Sequence, residues 1–133
     1  MRIFGVVVTV AFILSGCVAN NIEAETKPIK DSRVINLAKT LVSERMRDPE
    51  ATRFKNGFSA YQTKRGDYIV CGTVNAKNAM GGYVGYKQFY VRIRNNEIAA
   101  FNLPDENDEY GIVASTIKKV CTDAAAGKLM VSS

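Results

Sequence analysis

Between Val70 and Phe89 the chain reads Val-Cys-Gly-Thr-Val-Asn-Ala-Lys-Asn-Ala-Met-Gly-Gly-Tyr-Val-Gly-Tyr-Lys-Gln-Phe, a concentration of side chains suited to recognition. Asn75, Lys77 and Asn78 can bond to nearby backbone and shape a loop, and the glycines admit conformations closed to other residues. Tyr83 and Tyr86 offer the amphipathic rings favoured at interfaces. Two readings follow: a hairpin whose turn needs glycine and asparagine, or a contact surface centred on Asn75, Lys77, Asn78, Tyr83 and Tyr86. Catalytic material is sparse. The chain has no histidine, which removes Ser-His-Asp and Cys-His catalysis and the common histidine-containing zinc sites. No P-loop or G-x-G-x-x-G is present; Gly81-Gly82 with Gly85 is only G-G-x-x-G. The acids Asp105, Glu106, Asp108 and Glu109 are better explained as helix-start residues than as a catalytic pair. The chain reads as a non-enzyme with no cofactor and no metal site.

Three cysteines remain, and their surroundings separate them. Met1 and Arg2 precede Ile3 to Leu14, a charge-free apolar run of twelve residues. That run is shorter than the ~20 residues a membrane-spanning helix needs, and with a cationic start and small residues at its end it has the form of a secretory signal. It closes on Leu14-Ser15-Gly16-Cys17, which resembles the lipobox of bacterial lipoproteins, where a dedicated peptidase cuts before a cysteine carrying diacylglycerol. The resemblance implies a signal peptide over 1–16, lipid (diacylglycerol and palmitate) on Cys17, and firm membrane attachment through two or three acyl chains. Val18 stands where an aspartate would, by analogy with enterobacterial sorting, retain the protein at the inner membrane. An outer-membrane anchor facing the periplasm is therefore expected, with the inner membrane or the cell surface as alternatives. Export also places Cys71 and Cys121 where disulfides persist, and pairing them is the economical reading, two buried free thiols being the alternative.

The elements that must position these residues follow from patterning. Residues 17–31 carry few large apolar side chains and no periodicity, and read as a flexible tether. Val34, Leu37, Ala38, Leu41, Val42 and Met46 recur at helical spacing from Ser32, with Asp31 or Ser32 as cap, until Asp48-Pro49 stops the helix. Pro49 to Thr52 is the place for a second, short helix. Runs over Phe54–Tyr61, Tyr68–Asn75, Tyr83–Arg94 and Ile98–Phe101, separated by turn residues, predict an antiparallel meander. A second helical pattern runs from Ile112 through Cys121, ended by Gly127, and residues 128–133 are left as a tail. The expected fold is α+β: an N-terminal helix, about four antiparallel strands and a C-terminal helix packed on the sheet, within a domain over 32–127 stapled by one disulfide.

Asp48-Pro49-Glu50-Ala51-Thr52-Arg53-Phe54, together with Cys71-Gly72-Thr73-Val74-Asn75-Ala76-Lys77-Asn78 and Gly81-Gly82-Tyr83-Val84-Gly85-Tyr86, resembles a pattern in small proteobacterial and phage-borne proteins of unknown function. The resemblance covers about the middle third of the chain and implies a shared fold without an activity.

Charge sets one further bound. Without residues 1–16 the chain carries 17 Lys and Arg against 13 Asp and Glu, a net of +4. Spread charges of that size fit an acidic partner or anionic headgroups and do not fit nucleic acid. The expectation is a lipid-anchored envelope protein that binds another protein, as an inhibitor, immunity or exclusion factor does; the alternative is a structural accessory subunit of an envelope assembly.

Overall fold

The computed structural model describes residues 22–131, so the expected signal peptide over 1–16, the expected lipid site Cys17 and residues 18–21, 132 and 133 lie outside the described residues. The stripe beginning at Val34 forms helix α1, Ser32–Glu44, and buries Val34, Ala38 and Val42. Asp31 is its N-cap: the side chain accepts from the Arg33 amide at 2.9 Å, satisfying a donor that has no partner within the helix. The Arg33 guanidinium, hydrogen-bonded to the same carboxylate, holds Asp31 below the usual carboxylate range.

Among the described residues seven strands follow the chain order β1 Ile22–Ile29, β2 Arg53–Phe54, β3 Ser59–Thr63, β4 Tyr68–Asn75, β5 Lys87–Arg94, β6 Glu97–Asn102 and β7 Lys128–Val131. Helix α2, Ile112–Ala125, lies between β6 and β7. The sheet order is β6-β5-β4-β3-β1-β7, with β2 paired to the end of β4. All pairings are antiparallel.

Alternation sorts the central strands onto two covered faces. Val70, Val74, Phe89, Val91 and Ile93 pack with α1, while Ile69, Cys71 and Tyr61 join Ala124 and Leu129 under α2. Strand β4 is buried on both sides and therefore reads as a nearly continuous apolar run. Phe54, Phe58, Phe89 and Phe101 form a chain of tilted and edge-on ring contacts at 5.9–6.5 Å on the α1 face. Cys71 and Cys121 are joined as a disulfide with Cα atoms 6.2 Å apart, fastening β4 to α2.

The α+β class and the staple agree with the sequence reading; the strand count does not. Residues 22–29, assigned to a flexible tether, are strand β1. Its Thr26–Ile29 half pairs with β3 and its Ile22–Glu25 half with β7, and the Thr26 hydroxyl donates to the Ala124 carbonyl at 2.7 Å. Backbone pairing needs no apolar alternation, so the composition concealed it. Pro28 falls in the half with a neighbour on one side only, where a missing N–H is tolerated. Residues 128–131, assigned to a tail, are β7 for the same reason. The run expected over Phe54–Tyr61 is broken into β2 and β3 around Gly57, which adopts φ +103°. The strand expected from Tyr83 begins only at Lys87, after Gly85 at φ +100°. Asn95 and Asn96, both at positive φ, form the tight turn between β5 and β6.

Candidate functional site

The connection over 76–86 is a loop that holds itself in shape. Asn78 Oδ1 accepts from the amides of Met80 and Gly82, each at 3.0 Å, while the Asn78 amide donates to the Gly82 carbonyl at 2.8 Å. Lys77 and Tyr83 form an isolated antiparallel bridge below this turn. At the base of the loop, Asn75 Oδ1 accepts from the Gly85 amide at 3.0 Å and the Val84 amide donates to Ala76. Two of the five predicted surface residues, Asn75 and Asn78, thus spend their side chains on the loop's own backbone. The consequence is a preformed tip with Met80 at 94% exposure.

The strand β2 brings a second segment against this loop. Arg53 is registered opposite Asn75, and Arg53 and Lys55 alternate with inward-facing Phe54. Arg53 Nε donates to the Tyr83 hydroxyl at 2.9 Å, and that hydroxyl donates to the Ala51 carbonyl at 2.9 Å. Residues 48–52 form a turn rather than the second helix expected there: Asp48 Oδ1 accepts from the Ala51 amide, and the Thr52 amide donates to Pro49. The stretches 48–54 and 71–86, far apart in the pattern read from the sequence, are therefore one physical unit.

Cations and rings are interleaved across this unit. The Arg53 guanidinium and Lys77 Nζ lie 5.2 and 5.5 Å from the Tyr83 ring centroid, and Lys55 Nζ lies 4.6 Å from that of Tyr86. Contacts at this distance are attractive through the ring quadrupole. The hydrogen bond to Tyr83 raises the Arg53 pKa above its ordinary value. Among the described residues no carboxylate lies within 4.0 Å of Arg53, Lys55 or Lys77; the ion pairs fall on Arg33, Lys64, Arg92, Arg94 and Lys119. Tyr86 is 44% exposed and Tyr83 40%. Arg53, Lys55 and Met80 escape the sequence reading, although the period-two spacing of Arg53 and Lys55 about Phe54 is the signal that finds the first two.

A cleft of about 390 Å³ runs between the loop and the segment after β6, lined by Val74, Ala76, Val84, Leu103 and Pro104. Lys87 Nζ spans it to the Pro104 carbonyl at 3.2 Å. Of the four acids expected at the helix start, Asp108 serves it, whereas Asp105 accepts from the Asn107 amide at 2.8 Å. Asp108 accepts from the Val113 and Ala114 amides at 3.0 Å, bonds that hold its carboxyl below the ordinary range. Gly111 at the cap position has no side chain to do this.

Ser115 and Lys118, which spell S-x-x-K on α2, are also passed over by the sequence reading. Ser115 Oγ donates to the Ile112 carbonyl at 2.8 Å and no hydrogen bond joins it to Lys118, so the spelling is not a dyad. Among the described residues no cluster of three or more His, Cys, Asp or Glu side chains is placed to hold a metal ion, and no helix is long and apolar enough to cross a membrane. Comparison with protein-family models, with curated proteins and with solved structures returns no match to this chain.

Proposed function

We propose that this protein is a lipid-anchored lipoprotein of the bacterial cell envelope whose 76–86 loop, with Arg53 and Lys55, is a non-enzymatic binding surface for another envelope protein. The observation that carries the reading is the set of three cations around two exposed tyrosines, without carboxylate partners among the described residues, on a loop fixed by its own hydrogen bonds. A rigid loop loses little conformational entropy on binding, and tyrosine and arginine are the residues that dominate interface energetics. The likeness of Leu14-Ser15-Gly16-Cys17 to a lipobox supports a position at a membrane, and Val18 favours the outer one. A role as inhibitor, immunity or exclusion factor fits a small chain without catalytic groups.

The alternative, an accessory subunit whose role is placement, is favoured by one contact: the Tyr83 hydroxyl is tied to Ala51 and Arg53 within the fold. Tyr86→Ala separates the two. Tyr86 makes no side-chain hydrogen bond among the described residues, so the variant keeps its melting temperature in either case. Loss of a cross-linked envelope partner in cells supports the binding surface; unchanged cross-linking with a Tyr86→Ala, Lys55→Ala double variant supports the accessory. Mass spectrometry of the mature protein tests the anchor: an unmodified thiol at Cys17 refutes it.

A further inference from the structure

The direction of the strands decides which way this surface faces. Strand β1 is antiparallel to β3 and β3 is antiparallel to β4, so β1 and β4 run the same way. Ile22 therefore enters at the end of the sheet marked by the turn over 64–67, and Asn75 leaves at the other. Strand β4 has eight residues, about 26 Å at ~3.3 Å per residue. Among the connections at the far end are the 76–86 loop and the segment from 103 into α2. All six large hydrophobic side chains exposed among the described residues, Met80, Tyr83, Val84, Tyr86, Tyr110 and Ile112, lie in those two connections or at the first residue of α2.

We infer that the 76–86 end is the membrane-distal end of the anchored domain and that its occupant is a carboxylate-bearing protein surface, docking on Arg53, Lys55 and Lys77 beside the exposed rings of Tyr83 and Tyr86. This rests on the lipid anchor of the preceding section. From Cys17 to Ile22 the chain reaches at most about 18 Å, so the bilayer is held beside the end of the sheet where Ile22 enters. The exposed apolar and cationic groups point from there toward the periplasm. The same geometry disfavours the anchoring bilayer as the occupant. It also disfavours a second copy, because copies anchored in one leaflet present this end in parallel. Charge complementarity then selects the chemistry: the cations here lack carboxylates of their own, and Asp105 and Asp108 are engaged with the backbone of Asn107, Val113 and Ala114. An incoming acidic face supplies what the surface lacks.

The test uses the full acylated chain. In vesicles of phosphatidylethanolamine and phosphatidylglycerol carrying a headgroup quencher, a fluorophore on Arg65→Cys is quenched more strongly than one on Met80→Cys; the reverse order overturns the orientation. Vesicles that do not retain the chain refute the anchor, and the orientation falls with it. In neutral detergent, a labelled peptide alternating glutamate with leucine binds in preference to its lysine counterpart. The Lys55→Glu, Lys77→Glu double variant, with unchanged melting, binds it about tenfold less tightly. No preference for the glutamate peptide overturns the occupant. Quenching of the Met80→Cys fluorophore that rises with the phosphatidylglycerol content of the vesicles and is abolished by the same reversal assigns the surface to a bilayer instead, and concentration-dependent dimerisation in detergent abolished by it assigns the surface to a second copy.

Discussion

Arg53 Nε lies 2.9 Å from the hydroxyl of Tyr83, which in turn donates to the carbonyl of Ala51. One phenolic oxygen thus joins two segments of the chain and sets the position of a guanidinium on the proposed binding surface. Tyr83→Phe removes both bonds while keeping the ring under Lys77. The expected loss is about 1 kcal/mol. Amide hydrogen exchange is the sharper readout: the amides of Gly82 and Val84 exchange faster in the variant, while those of Val70 and Val91 are unchanged.

Gly72 is small for a packing reason. A Cβ built there falls 2.8 Å from Cδ1 and Cε1 of Phe58 and 2.9 Å from Cε1 of Phe89. Gly72→Ala destabilises by about 1–3 kcal/mol through overpacking. Phe58→Leu relieves one of the two rings, so the double variant measured by urea denaturation loses less than the sum of the single losses.

Asp67 is 4% exposed and receives Arg92 Nε at 2.8 Å and Arg94 through Nε and a terminal nitrogen at 3.0 and 2.8 Å. Arg94, then Arg92, holds its carboxyl below the ordinary value of 3.8 against the opposing effect of burial. A carboxylate with a lowered folded pKa contributes stability that is complete above its unfolded value and is lost as pH falls through the folded one. Asp67→Asn therefore costs about 2–3 kcal/mol at pH 7, less than a fully buried pair because Arg94 is half-exposed. The difference between variant and parent shrinks toward zero as denaturation is repeated at progressively lower pH through the acid range. A difference independent of pH refutes the linkage.

The Cys71–Cys121 bond closes a loop with a sequence separation of 50 residues. On the chain-entropy account its removal costs about 4 kcal/mol. Reduction, or the paired change Cys71→Ala with Cys121→Ala, is expected to lower the melting temperature by more than 10 °C. Since α1 packs on the opposite face, amides in α1 keep more of their protection than those in α2.

Legibility in the sequence tracked the burial of side chains. Helix α1, strand β4 and helix α2 bury one stripe or two faces, and their periodicities carry their positions almost to the residue. Strands β1 and β7 are held by backbone pairing across the sheet, for which the alphabet of side chains has no symbol. The same division runs through the site. Tyr83, Tyr86 and Lys77 stand out as residue types, whereas Arg53 and Lys55 belong to the surface only because a two-residue strand, β2, lies beside the end of β4. Asn75 and Asn78 were visible but play the shaping role rather than the contacting one.

The pairing of Ile22–Glu25 with Lys128–Val131 has a kinetic meaning. A chain made from its N-terminus offers the first strand of this sheet long before its neighbour exists, and that ladder closes by a loop spanning nearly the whole domain. Such closure is slow and late, because the entropy of the intervening chain is lost before any contact compensates for it. Synthesis and pairing therefore run in opposite order. Until the segment at 128–131 arrives, half of β1 has no partner.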